Sequence, residues 1–220
     1  MHPDNKRITK ADAIRIVVKC AKEYRDSLEP YSYLFIYRDI TTKQIEWFEV
    51  RFYDRNYMHL TGLISKNTAE SQNAISFYQD CLDERIKEEN IEFKADGSTT
   101  EKLLILPNLV KMLFSAQMTV VYNNGRPWLR CDRLTGSVNF CLAIKQVSGY
   151  YIPVSCINGD IRDMGEKPSR ILAIFSKSRS DSGKYKRIRR VTAGINLTEL
   201  DIPDQLRNMV DLSGYRDSKQ

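Results

Sequence analysis

The chain has 220 residues, 42% hydrophobic and 28% charged, with a formal net charge of +6. That length and balance fit an ordinary globular protein able to bury a core without metal or disulfide staples. A membrane span is excluded, since it needs about 20 consecutive apolar residues and the longest runs, such as Leu103 to Leu106, fall far short.

The first residues, MHPDNKRITKADAIR, are charged and lack the apolar stretch of a signal peptide, so a cytoplasmic location is expected. Cys20, Cys81, Cys131, Cys141 and Cys156 are odd in number, form no C-x-x-C pair and sit mostly in apolar patterns. They read as buried reduced thiols, and neither a metal nor any other cofactor is expected. The net charge is unevenly placed. From Lys177 to Arg190 seven bases face one acid, so the rest of the chain is balanced. Such a segment either meets a phosphate-rich partner or is a solvated hairpin.

In chain order, Thr9 is the expected N-cap of a first helix with Ile14, Val17, Val18 and Ala21 on its apolar stripe. Leu28, Glu29 and Pro30 end it. YSYLFIYRDI and QIEWFEVRFY then read as a hairpin around TTK. Apolar residues on both faces of the second strand make it a central one. NYMHLTGL follows as a loop at that strand's end, carrying His59. Residues 70 to 89 form a helix with Ile75, Tyr78 and Leu82 on one face, widened by Phe77, Cys81 and Ile86. Ser98 and Glu101 have capping-box spacing before the next helix, which Pro107 should kink or restart.

From Gln117 the period changes to two. QMTVVYN, PWLRCDR, SVNFCLAIKQV, YYIPVSC, RILAIFSKS and YKRIRRV read as strands separated by the turns NNGR, LTG, SG and SDSG. PDQLRNMVDL is a last short helix before a polar, flexible tail. The whole reads as a single α+β domain over residues 1–220, with helices packed on a curved antiparallel sheet.

FYDRNYMHLTGL, ISFYQDCLDERI, DGSTTEKLLILPNL, YYIPVSCINGDIRD and RILAIFSKS together resemble the fourth group of phage Barnase–EndoU–Colicin–RelE-like nuclease domains. The resemblance covers roughly residues 30–190. It implies helices packed on a curved antiparallel sheet whose open face binds and cuts RNA. It further implies an origin in phages or mobile elements of Gram-positive bacteria, a toxin-like role and an antitoxin or immunity protein as partner.

RNA is cleaved without metal when its 2′-hydroxyl attacks the adjacent phosphate, given a base, an acid and cations around the phosphorane. His59 is the candidate acid or base, because His2 lies at the terminus and no further histidine exists. Thr61 and the Gly62 amide are candidates to hold phosphate or imidazole. Ser98, Thr99 and Lys102 mark a helix N-terminus that attracts anions, unless Ser98 merely caps it. Ser155, Asp160, Lys177 and Tyr185 form a second set near strand ends. Lys184, Lys186, Arg187, Arg189 and Arg190, interleaved with Tyr185, are candidates for nucleic-acid contact, or else a charged sheet edge.

Two other functions compete with a metal-independent endoribonuclease. An ADP-ribosyltransferase would use H-L-T-G as its dinucleotide turn, although no E-x-E loop follows. A non-catalytic binder or phage inhibitor would use the basic segment alone.

Overall fold

The computed structural model describes residues 8–66, 70–122 and 129–215. The NNGR turn, the start of PWLRCDR, His2 and the end of the polar tail lie outside the described residues. Helix α1, Lys10–Ser27, starts where expected: Thr9 and Asp12 satisfy each other's first-turn amides in a capping box. Its buried stripe is Ala13, Val17, Cys20, Ala21 and Tyr24. Ile14 and Val18, expected at its centre, are only partly buried beside it.

Strands β1 (Tyr31–Arg38) and β2 (Ile45–Arg51) form the expected hairpin, paired from Ser32↔Arg51 to Arg38↔Ile45. Helix α2, Asp54–Thr61, follows within three residues of β2, and β3 is the short Ile64–Ser65. Helix α3, Glu70–Leu82, ends earlier than its sequence pattern indicates. Glu84 takes a left-handed φ of 57°, and the Arg85 and Glu84 amides donate to the Asp80 and Cys81 carbonyls at 2.8 and 3.3 Å. This is a Schellman stop without its usual glycine. Phe77, Tyr78 and Cys81 are buried, whereas Ile75 is 46% exposed, so the buried face is rotated from the expected one.

Strand β4 (Ile91–Glu92) pairs with β3, and α4 spans Ser98–Ile105. Pro107 sits in a 3-10 turn, Leu106–Asn108, after which α5 (Leu109–Ser115) restarts as expected. Then come β5 (Met118–Val121), β6 (Arg133–Gly136), β7 (Cys141–Val147), β8 (Tyr150–Ile157), β9 (Ser169–Ser178), β10 (Arg187–Val191) and helix α6 (Asp204–Met209). LTG is part of β6 and not a turn. A Cβ on Gly136 would fall 2.0 Å from the Phe140 carbonyl oxygen, so glycine is needed there for backbone approach.

The sheet is closed, a correction to the expected open curved sheet. The order β1-β2-β8-β7-β6-β5-β9 returns to β1 through the β1–β9 pairing, making a seven-strand barrel with β10 added on β9. Closure pairs both sides of these strands except along most of the facing edges of β2 and β8. All neighbours are antiparallel except β2 and β8, which meet in parallel at the one pair Val50↔Tyr151. With that one pair it is the most sparsely bonded seam of the barrel wall.

Three apolar clusters hold the layers. Helices α1 to α5 pack with the barrel interior, including Tyr33, Phe35, Phe48, Val50, Leu142 and Ile144. On the outer face of β1 and β9, Leu34, Ile36, Leu172 and Phe175 are covered by Leu197, Ile202, Leu206 and Val210 of the C-terminal arm. Outside β5 to β7, Val120, Leu134 and Ala143 pack with Ile161. No helix among the described residues is long and apolar enough to cross a membrane.

Candidate active site

His59 lies in the last turn of α2 and not on a strand-end loop. The helix starts because extended Tyr53 and Asn56 satisfy one another: the Tyr53 amide donates to Asn56 Oδ1 at 3.2 Å and the Asn56 amide to the Tyr53 carbonyl at 2.9 Å. It ends because Gly62 takes φ 72°, which favours glycine. A Cβ there would also lie 2.8 Å from Lys102 Cδ and 3.2 Å from Thr99 Cα. Thr61 is fully buried; its hydroxyl donates to the Met58 carbonyl at 2.8 Å and accepts from the Leu63 amide at 3.1 Å. It is enclosed in the helix end and does not face a phosphate.

Helix α4 clasps this end. Thr99 Oγ1 donates to the Gly62 carbonyl at 2.7 Å, and Lys102 Nζ to the His59 carbonyl at 3.4 Å. The His59 ring is exposed and makes no hydrogen bond among the described residues. Desolvation by the surrounding helices, then the charges of Lys102 and Lys94, lower its pKa below the ordinary value. Burial, then Lys94, lowers that of Lys102 in turn. The expected Ser98–Glu101 capping box does not form. Gly97 is the N-cap, and the Ser98 hydroxyl and amide donate to Asp96 Oδ1 at 2.6 and 3.0 Å, a local alternative that aspartate offers.

The second sequence-derived set divides. Ser155 is buried in β8, its hydroxyl 3.5 Å from the Cys156 carbonyl. Asp160 caps the 3-10 turn Ile161–Asp163 and pairs with Arg162. Lys177 and Tyr185 do meet: Nζ is 4.8 Å from the ring centroid and donates to the Gly183 carbonyl at 2.8 Å. Tyr185 is 1% exposed and its hydroxyl donates to Glu49 Oε2. Glu49 Oε1 accepts from Arg51 Nε at 2.5 Å.

Strand geometry explains this convergence. Arg51 pairs with Ser32 across β1–β2, and Ser32 with Lys177 across β1–β9, so all three share one face of the sheet. Glu49, two residues before Arg51, shares it too. It is the outer face of the barrel, and Tyr185 closes over it from the β9–β10 connection. The Glu49 side chain is 14% exposed and that of Arg51 35%, so a carboxylate and a cation reach solvent from a mostly apolar wall.

An aromatic and cationic rim surrounds them. The Arg51 guanidinium lies 4.2 Å over the Tyr150 ring, and the Tyr53 and Tyr150 hydroxyls are 3.0 Å apart. Arg179 lies 4.2 Å over Tyr53 and donates to the Glu29 and Phe52 carbonyls at 3.3 Å. Ser32, Arg51, Lys177 and Arg179 line a cleft of about 570 Å³ together with Glu29 and Asp181. Arg51 also lines a second cleft, of about 280 Å³, with Glu49, Arg133 and Tyr150 at the β2–β8 seam. Burial, then the adjacent Glu49 through its hydrogen bond and charge, pushes the Tyr185 phenol well above its ordinary range, so it stays a donor. The arrangement can hold a phosphodiester on Arg51 and Lys177 and take a proton on Glu49.

Sequence reasoning passed over Glu49 and Arg51. Their signal was present: two charged residues at alternate positions of a strand already read as central.

The basic segment is not uniformly exposed. Lys184, Lys186 and Arg187 are exposed. Arg189 Nε donates to Ser176 Oγ at 2.7 Å, and its guanidinium lies 5.2 Å from Tyr31 and 5.5 Å from Phe114. Arg190 donates to the Phe114 carbonyl at 3.3 Å, with its Nε buried. Desolvation lowers the pKa of both. Burial likewise pushes the thiols up, to about 12 for Cys20, Cys141 and Cys156 and about 11 for Cys131.

Glu49 held between Tyr185 and Arg51, beside a cleft that brings together Arg51, Lys177 and Arg179, has groups able to bind a phosphodiester. Over residues 16–189 the sequence matches the family described as phage-Barnase-EndoU-ColicinE5/D-RelE like nuclease4, and the chain belongs to that family, one of nucleases. No curated protein matches the chain, and neither does any solved structure.

Proposed function

We propose that the protein is an endoribonuclease of phage or mobile-element origin that cleaves RNA without a metal, by attack of a 2′-hydroxyl on its own phosphate. The observation that carries this reading is Glu49, a partly exposed carboxylate held between Tyr185 and Arg51 with Lys177 on the same face. Glu49 takes the 2′-hydroxyl proton as the new O–P bond forms. Arg51 and Lys177 hold the phosphorane oxygens, and Lys177 gives a proton to the departing 5′-oxygen. The products are a 2′,3′-cyclic phosphate and a free 5′-hydroxyl. Such an activity calls for an antitoxin or immunity protein in the cytoplasm of its host.

The test is cleavage of a short RNA with and without chelator, beside the same RNA carrying 2′-deoxy sugars. A cyclic-phosphate product, unaffected by chelator and absent from the deoxy substrate, is expected. Equal cleavage of the deoxy substrate would overturn the mechanism.

A second reading gives the acid–base role to His59, with Lys102 as phosphate ligand. It is favoured by a solvent-reaching ring whose pKa is lowered first by desolvation and then by the charges of Lys102 and Lys94. The ADP-ribosyltransferase alternative loses its ground, because H-L-T-G ends a helix against α4.

A further inference from the structure

Arg133 is the feature that phosphodiester cleavage leaves unused. On β6, Leu134 joins the outer cluster, so Arg133 projects to the opposite side, into the barrel. Its guanidinium lies 4.9 Å from the Tyr37 ring, 5.0 Å from Phe48 and 6.0 Å from Tyr151. It donates to Thr119 Oγ1 at 3.3 Å and to the Tyr37 hydroxyl at 3.1 Å, while Nε is buried without a partner. Among the described residues no carboxylate lies within ion-pair distance of it. A half-buried guanidinium normally has an anionic partner, because desolvating a charge is costly.

This guanidinium also lines the 280 Å³ cleft at the β2–β8 seam, together with Glu49, Arg51, Gln146, Tyr150 and Tyr151. Glu49 and Arg51 of the proposed reaction centre therefore share one hollow with an arginine among aromatic rings, while Lys177 lines the neighbouring cleft. The volume of the shared hollow is near the lower end for small-molecule sites, about 300–1,000 Å³, which suits a single planar group rather than a duplex.

We infer that this cleft is a nucleobase subsite, in which Arg133 reads the base next to the scissile phosphate and the tyrosines provide stacking faces. The inference rests on the endoribonuclease reading and adds a specificity-determining residue to it. Arginine offers donors only, in a planar fork, so it selects an edge with two neighbouring acceptors. Among the four bases guanine offers that edge in O6 and N7, and unpaired cytosine a second one in O2 and N3. Adenine places an amino donor beside N7 and meets the fork with a donor–donor clash. Uracil has a donor, N3–H, between its two carbonyls and lacks the paired acceptors. Arg51, between the two clefts, would then hold the attached phosphate.

The test is calorimetric titration of the full chain with the 3′-monophosphates of guanosine, adenosine, uridine and cytidine. Guanosine 3′-monophosphate is expected to bind about tenfold or more tightly than the adenosine and uridine nucleotides. Arg133→Lys keeps the charge but loses the fork, and should abolish that preference with the melting temperature monitored alongside. The 7-deaza analogue of guanosine 3′-monophosphate removes the N7 acceptor without altering the protein, and should lose a similar factor. Equal binding of all four nucleotides, or an undiminished affinity for the 7-deaza analogue, would overturn the subsite. Nucleotide binding is read without cleavage: a guanine preference with no RNA cleavage sinks the nuclease reading alone, and cleavage with no base preference in binding sinks the subsite alone.

Discussion

Tyr185, between β9 and β10, donates its hydroxyl to Glu49 on β2, 136 residues earlier in the chain. The bond ties the basic segment to the candidate carboxylate and separates two roles. Glu49→Gln keeps the shape and an acceptor for Tyr185 but cannot take a proton. It is expected to retain the fold and lower the cleavage rate by about two to four orders of magnitude. Tyr185→Phe leaves a poorly solvated carboxylate oxygen without its donor and should cost about 1–3 kcal/mol of stability. Chemical denaturation and single-turnover cleavage of the two variants check both. A Glu49→Gln protein that cleaves at the wild-type rate would remove the carboxylate from the mechanism.

The basic segment should divide in function as it divides in exposure. Lys184, Lys186 and Arg187 are solvent-exposed, so replacing them with serine should leave the melting temperature unchanged. Each lost phosphate contact should reduce the salt dependence of single-strand binding by about 0.7 in the log–log slope. Arg189 and Arg190 are packed against Phe114, Tyr31 and Ser176, so their replacement should lower the melting temperature instead. An unchanged salt slope in the triple variant would assign the exposed residues to solubility.

Local pattern carried most of the fold. The hairpin of β1 and β2, the restart after Pro107 and the Thr9 cap were legible because each depends on neighbouring residues. Barrel closure was not, since it rests on β1 pairing with β9 across more than a hundred residues, which period-two alternation does not encode. The end of α3 was hidden because a glutamate takes the left-handed position where glycine would have marked it. The candidate site was half legible. Lys177 and Tyr185 were identified and do meet, whereas Glu49 and Arg51 were read only as strand residues. Their proposed role depends on the register that sets Arg51 opposite Ser32 and Ser32 opposite Lys177.

His59 has a pKa lowered first by desolvation and then by Lys102 and Lys94. NMR titration of the ring should give a midpoint below the ordinary value of about 6.5, and Lys102→Gln should raise it. A folded-state pKa below the unfolded one means the unfolded chain binds more protons between the two. Stability therefore rises with pH through that window and falls as pH drops below the unfolded value. On the Glu49 reading, His59→Asn should change cleavage less than about tenfold. A loss of about two to four orders, with a vanished pH inflection, would transfer the acid–base role to His59.

Gly62 tests why H-L-T-G stands where it does. Two independent constraints fall on it: a φ of 72° at the end of α2, and the approach of α4. An added Cβ would meet the flexible Lys102 Cδ at 2.8 Å, which can swing away, and the Thr99 Cα at 3.2 Å, which is backbone and cannot move alone. Shifting Thr99 would also stretch its 2.7 Å hydrogen bond to the Gly62 carbonyl. Gly62→Ala should therefore destabilise the protein by about 1–3 kcal/mol, through backbone strain and the displaced helix. Asn tolerates the left-handed region better than Ala but brings the same Cβ, so Gly62→Asn should recover only part of that loss. Denaturation midpoints of the two variants distinguish the constraints. Full recovery with asparagine would mean that dihedral strain alone demands the glycine, and that α4 yields freely.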